Sequence, residues 1–399
     1  MSEYYPYRYK GYPAGLKYPW TFPMPSEKER DRRWSTIRRS MKKNQFDGLI
    51  VSAPSGYMPN DYHLYYISNY MPFSNRGTYV MFPMEGEPRL AVTTVLGPQF
   101  LHVAWETSWI RDIVQSPSPV QDIVRKVKEL KLEGGRLGIV GYRSGAFQAS
   151  AYDTLRESLP GATFQDASSA LNEAMDEVSR TSDEELTLLR KACEILDLSQ
   201  QAVSEALKPG VRELDLWAAA EQAVIRNGGW YPHFMIVTSG PRPIFHRAPA
   251  SHNVLNPGDV VMFEINVTYA GITPQMSYAL SRGRPEKEVE EMFAFCSELY
   301  DFSLAELEKN RTFMDIEQDL VSRLHRAGYE PMTPQIHRYN LSGEMPMNSP
   351  PRPGDYFTVH PNVCSKDYTA SAKFGDAVRI TKEGRVERLQ KTPARLHVV

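Results

Sequence analysis

The chain has 399 residues, 41% of them hydrophobic and 24% charged, with a formal net charge of −2. That length exceeds one ordinary core and predicts two domains of globular composition. Interspersed charges of both signs argue against a nucleic-acid or anionic-membrane surface, and no apolar run reaches the ~18–20 residues of a membrane span.

The N-terminal segment MSEYYPYRYKGYP lacks a signal peptide's apolar centre and reads as an extended arm. SEKERDRRWSTIRRSMKKNQ predicts a helix capped by Ser26, with Glu29 three residues on. FDGLIVSA, TYVMFPM, PRLAVTTV and RLGIVG read as strands; VQDIVRKVKELKL and the run 144–159 read as helices. The aromatic stretch 57–73 reads as loop packing. Strands alternating with helices predict an α/β domain over residues 1–178. The texture changes from residue 179. A long helix closes at Pro209-Gly210, and a second, RELDLWAAAEQAVIR, stops at Gly228-Gly229. Strands follow at FMIVTSGPR and DVVMFEINVTYAG, then helices over 286–309 and 314–327, and strands at YFTVHPN and GDAVRIT. This predicts an α+β domain over 179–399. The three cysteines, Cys193, Cys296 and Cys364, form no CxxC pair, and the expected compartment is reducing and cytoplasmic.

Several phrases of the second half resemble the creatinase/prolidase/aminopeptidase P superfamily. They are KPGV–RELDLW between two helices, PIFHRAPASHNVLNPGDVVMFEINVTYAG, GDYFTVHPN and FGDAVRITKEG. PNDYHLYYISNY resembles the creatinase-type N-terminal domain. The resemblance implies a pita-bread catalytic domain preceded by a smaller α/β creatinase-type domain. Peptidases of that superfamily hold two metal ions with Asp, Asp, His, Glu and Glu. Register against the Gly258-Asp259 turn puts Glu264 in the first position and Gln275, eleven residues on, in the second. His337 falls on the metal-binding His, His360 replaces the first Glu, and Gly375 the last. Two bridging carboxylates are thereby lost, and two nearby dications repel without them. No dimetal site, and no cofactor, is expected.

Four residues are expected to carry chemistry. The resemblance gives His246 the place of a substrate-facing His, and imidazole titrates nearest neutrality. Glu264 shares a strand face with Met262 and Asn266, opposite Phe263 and Ile265. It is open as base, nucleophile or anchor for a cationic nitrogen. His337 and His360 are implied to line the same cavity. Gln275 is expected to hydrogen-bond substrate. Arg76, eleven residues after Tyr65, matches the creatinase Arg that enters the partner subunit's site and binds a carboxylate. His233 and His252 read as structural, as does Asp376. The expectation is a metal-independent, creatinase-like hydrolase cleaving a non-peptide C–N bond of a small polar metabolite, with no peptidase activity. A homodimer with no nucleic-acid or membrane partner is expected. The alternatives are a mononuclear-metal hydrolase or lyase using Glu264, His337 and His360, and an inactive binding homologue.

Overall fold

The computed structural model describes residues 7–8, 23–53, 62–70, 77–93, 101–142, 147–178, 182–230, 235–245, 249–338 and 346–399. It divides into two compact units, Met1–Ser182 and Asp183–Val399. No helix among the described residues is long and apolar enough to cross a membrane.

The first unit runs β1 (Tyr7–Arg8), α1 (Glu27–Lys43), β2 (Gly48–Ala53), α2 (Tyr62–Ser68), β3 (Thr78–Pro83), β4 (Arg89–Val92) and α3 (Leu101–Thr107). It continues β5 (Asp112–Gln115), α4 (Pro119–Glu129), β6 (Arg136–Val140), α5 (Ala149–Ser158), β7 (Thr163–Asp166) and α6 (Ser168–Val178). One mixed sheet has the order β1-β5-β4-β3-β2-β6-β7. Helix α1 starts where the sequence places it, with Ser26 Oγ accepting from Glu29 N at 3.4 Å. Apolar faces of α4 and α5 bury Ile123, Val127 and Leu155 against Ile50, Met81 and Ile139 of the sheet.

One expectation fails in this unit. The aromatic stretch contains helix α2, of which every residue but His63 is buried. Tertiary contacts override its modest helix propensity. Trp34 Nε1 donates to Ile67 O at 2.8 Å, and the Arg33 guanidinium lies 4.6 Å from the Tyr66 ring centroid. Asn69, at φ 58°, ends the helix.

The second unit opens with α7 (Asp183–Ala206), α8 (Glu213–Arg226), β8 (Met235–Gly240), β9 (Val260–Asn266) and β10 (Gln275–Ser281). Then come α9 (Lys287–Leu307), α10 (Phe313–Ala327), β11 (Tyr329–Glu330), β12 (Ile336–His337) and β13 (Tyr356–Val359). It ends with β14 (Asn362–Ser365), β15 (Ser371–Lys373), β16 (Asp376–Ile380), β17 (Val386–Arg388) and β18 (Leu396–Val398). Helix α7 stops three residues before Pro209, and Gly210 turns the chain at φ 77°. Thr312 caps α10 by accepting from Asp315 N at 3.1 Å.

Two cores flank the central strands. Phe263, Ile265 and Tyr278 pack with Leu196 and Leu216 of α7 and α8. Met262 and Ala279, on the opposite face, pack with Met292 and Phe313 of α9 and α10 and with Phe357 and Val378. The period-2 reading of β9 is therefore correct. Two four-stranded sheets, β18-β10-β9-β8 and β12-β13-β16-β17, meet where Ser277 and Gly375 exchange backbone hydrogen bonds, both 2.8 Å.

Candidate functional site

At that meeting point β9 presents Glu264 beside Ser277 of β10, its register partner. Ser277 Oγ donates to Glu264 Oε2 at 3.2 Å. The same oxygen forms a buried ion pair with the Lys373 ammonium of β15. Lys373 Nζ also lies 4.0 Å from the centroid of the Phe245 ring. Glu264 is 5% exposed and Lys373 2%, and burying two charges this deeply requires that they pair.

The two histidines arrive from the other sheet. His337 ends β12, is half-buried, and pairs with Thr358 of β13. His360 follows β13 and is 1% exposed. Their ring centroids are 4.4 Å apart with planes at 57°. A half-buried carboxylate fixes this arrangement: Glu317 of α10 accepts from Gln335 N at 2.9 Å and from Ile336 N at 3.3 Å. Gln335 O in turn accepts from His360 N at 3.0 Å. Burial, then the Lys373 ammonium, then His337 hold the His360 imidazole well below its usual pKa. Its Nδ1 has no hydrogen-bond partner among the described residues, and neither does the buried Oε1 of Gln275. Gln275 shares its strand face with Ser277.

The lowered pKa gives a signed pH dependence. Folded His360 stays neutral, whereas the unfolded side chain takes a proton below its ordinary 6.5. Its contribution to stability is complete above pH 6.5 and is lost as pH falls through the folded pKa, at up to about 1.4 kcal/mol per pH unit. Urea denaturation from pH 7 to pH 5 should show a decline that His360→Gln reduces. An unchanged slope would mean that the imidazole titrates normally.

The structure thus links Glu264 to His360 and His337 through Lys373, with His337 half-buried, and sets Gln275 two residues from Ser277, the register partner of Glu264. His246 and Arg76 lie outside the described residues, as does His233. His252 is exposed. Asp376 sits in a structural network, accepting from Tyr300 Oη at 2.5 Å and Arg388 Nε at 2.8 Å. Lys373 was missed in the sequence, although a lone Lys in the small, apolar run TASAKFG is a signal for a buried charge.

The architecture has counterparts in known proteins. Residues 187–382 match the metallopeptidase family M24 and residues 33–178 the creatinase/prolidase N-terminal domain. The chain belongs to the creatinase/prolidase/aminopeptidase P superfamily, with the pita-bread α+β fold expected of it. It is 22% identical over 368 residues to an Xaa-Pro dipeptidase of Pyrococcus horikoshii, spanning 89% of this chain and 96% of that enzyme. An Xaa-Pro dipeptidase of Pyrococcus furiosus is 24% identical over 53% of this chain and 63% of its own length. The crystal structure of the prolidase from Pyrococcus horikoshii superposes with a TM-score of 0.73 at 21% identity, covering 91% of this chain and 99% of that one.

These relatives overturn one expectation. A creatinase-like hydrolase of non-peptide C–N bonds, metal-independent and without peptidase activity, does not agree with a metallopeptidase family whose near-full-length match is a dipeptidase. The loss of ligand residues bears on the catalytic apparatus and says nothing of the substrate.

The residues present nevertheless do not fit a two-metal group. Gln275 and Gly375 supply no charge, and Glu264 is already engaged by Lys373. Gly375 has no room for a side chain, because a Cβ there would lie 2.0 Å from Val359 O and 2.4 Å from His360 Cα. Among the described residues no three His, Cys, Asp or Glu are grouped to hold a metal ion.

Proposed function

We propose that this chain is a hydrolase of short peptides, of the dipeptidase class, working at the cluster of Glu264, His337 and His360. The match to an Xaa-Pro dipeptidase over nearly the full length of both chains carries this reading. The cluster supports it chemically. Peptide hydrolysis needs a proton taken from water and one delivered to the leaving nitrogen. His337, half-buried beside His360, is the imidazole set to exchange protons with a ligand. His360, which burial first and then Lys373 and His337 keep neutral, offers its Nδ1, unpartnered among the described residues, as a hydrogen-bonding atom. Gln275 offers a buried acceptor. His246 and Arg76 keep their proposed roles of proton transfer and carboxylate binding.

The test is a panel of Xaa-Pro and proline-free dipeptides, assayed for released amino acids with and without Mn²⁺, Co²⁺ or Zn²⁺. At least one dipeptide should be cleaved, and His337→Ala should slow that cleavage about a hundredfold. If no dipeptide is bound or cleaved under any condition, the reading is wrong.

We also place the protein in a reducing compartment, in keeping with three free, buried cysteines. We propose a homodimer in which Arg76 serves the partner subunit's site. Analytical ultracentrifugation should give twice the 45.5 kDa chain mass. In mixtures of an Arg76→Ala chain with a His337→Ala chain, activity should reappear. A monomer, or no complementation, would refute the shared site.

A further inference from the structure

We propose that the Lys373 ammonium is the resident cation of this site, standing where a metallopeptidase family would need bound metal charge. We further propose that it meets the carbonyl oxygen of a bound peptide. The second statement rests on the peptide reading above; the first does not.

Four observations converge. The ammonium is boxed between the Glu264 carboxylate and the face of Phe245, 4.0 Å from the ring centroid, so its position is fixed. Glu264 is the one carboxylate left in the five ligand positions, and Lys373 balances it. A dication arriving at the same oxygen would meet no surplus negative charge and a neighbouring positive one. The space of the last ligand is closed by the Val359 and His360 backbone against Gly375. Finally, His360 Nδ1 and Gln275 Oε1 are buried with no partner among the described residues. Native structures seldom leave such atoms unmatched, and a ligand or water that satisfies them belongs here.

The arrangement suits one end of a dipeptide. A fixed ammonium in a dry site is a hydrogen-bond donor aimed at developing negative charge on a carbonyl oxygen. Gln275, two residues from Ser277 and so about 7 Å along the strand, offers its oxygen to the ligand's amino group. Burial first, and then this fixed positive charge, keep the His360 imidazole neutral, so its Nδ1 is left to hydrogen-bond a ligand.

The experiment uses the full chain as wild type, as Lys373→Met and as Glu264→Gln/Lys373→Met. Each is dialysed against Mn²⁺, Co²⁺ or Zn²⁺, desalted, analysed for metal and melted with and without the probe alanyl-proline. Wild type should retain well under one equivalent of metal and melt at an unchanged temperature. Lys373→Met should melt roughly 10 °C lower, because it leaves a carboxylate buried and unpaired. The double variant should regain most of that loss, since removing both charges together is close to neutral. It keeps the test informative if Lys373→Met fails to fold.

Alanyl-proline should raise the melting temperature of wild type and not that of the double variant. One tightly held metal per wild-type chain would overturn the resident cation. So would a Lys373→Met protein that melts like wild type, or a double variant no better than the single one. An absent or unchanged alanyl-proline shift with the other arms as expected would overturn the peptide contact and leave the cation standing.

Discussion

Gly375→Ala should lower the melting temperature of the protein by roughly 10 °C, corresponding to about 3 kcal/mol or more in a unit of this size. The reason is contact with backbone. The new methyl carbon would sit 2.0 Å from Val359 O, 2.4 Å from His360 Cα and 2.6 Å from His360 Cβ. No rotamer change relieves those clashes; the β13 strand end or the Ser277–Gly375 pairing has to move. Gly375→Glu, which would restore a carboxylate to the last ligand position, should be worse still and should gain no metal. Calorimetry is the direct check. An alanine variant melting within about 2 °C of wild type would show that the two sheets have slack at this point.

Glu264→Gln is expected to combine the largest loss of activity with a loss of stability. The substitution keeps shape and removes the charge that Lys373 needs. Turnover of whichever dipeptide is cleaved should fall about a hundredfold or more, the cost of losing a positioned donor, because Lys373 loses the carboxylate that holds it in place. Stability should fall by about 3 kcal/mol, because an ammonium 2% exposed loses its counter-charge. The stopped assay and urea denaturation together separate the two effects. Wild-type turnover in a folded Glu264→Gln protein would remove Glu264 from the chemistry.

Much of the architecture is legible in the sequence, because long periodic segments carry their own signal. The alternation along VVMFEINV correctly divides Met262 and Glu264 from Phe263 and Ile265. The Ser26 cap marks the start of α1 to the residue. Short elements carry no period to read, and β11, β12 and β15 are two or three residues long. Helix α2 was read as loop because its Tyr-rich sequence reveals its role only through Trp34 and Arg33, which belong to another helix.

The site divides in the same way. Position relative to the Gly258-Asp259 turn and the strand order is enough to bring Glu264, His337 and His360 together. The partner of Glu264 is not legible at all. Lys373 lies 109 residues further along the chain, and the pairing exists because two sheets meet there. Once the pair is seen, Glu264 as an anchor for a cation makes sense, and the cation it holds is the chain's own. The substrate class is not legible in the site residues for a related reason: missing ligands describe the catalytic apparatus, while similarity over the whole chain describes what relatives act on.

The junction of Ser277 with Gly375 has a consequence for how this molecule can be watched. Its two hydrogen bonds are made entirely by main-chain atoms, and they connect the sheet that carries Glu264 to the sheet that carries the histidines. Substituting the Ser277 side chain therefore leaves the stitch itself intact. Both amide protons are shielded for as long as the sheets stay joined and become exchangeable when they part. Deuterium uptake at these two amides is thus a built-in gauge of whether the halves of the site separate, readable without ligand or substrate.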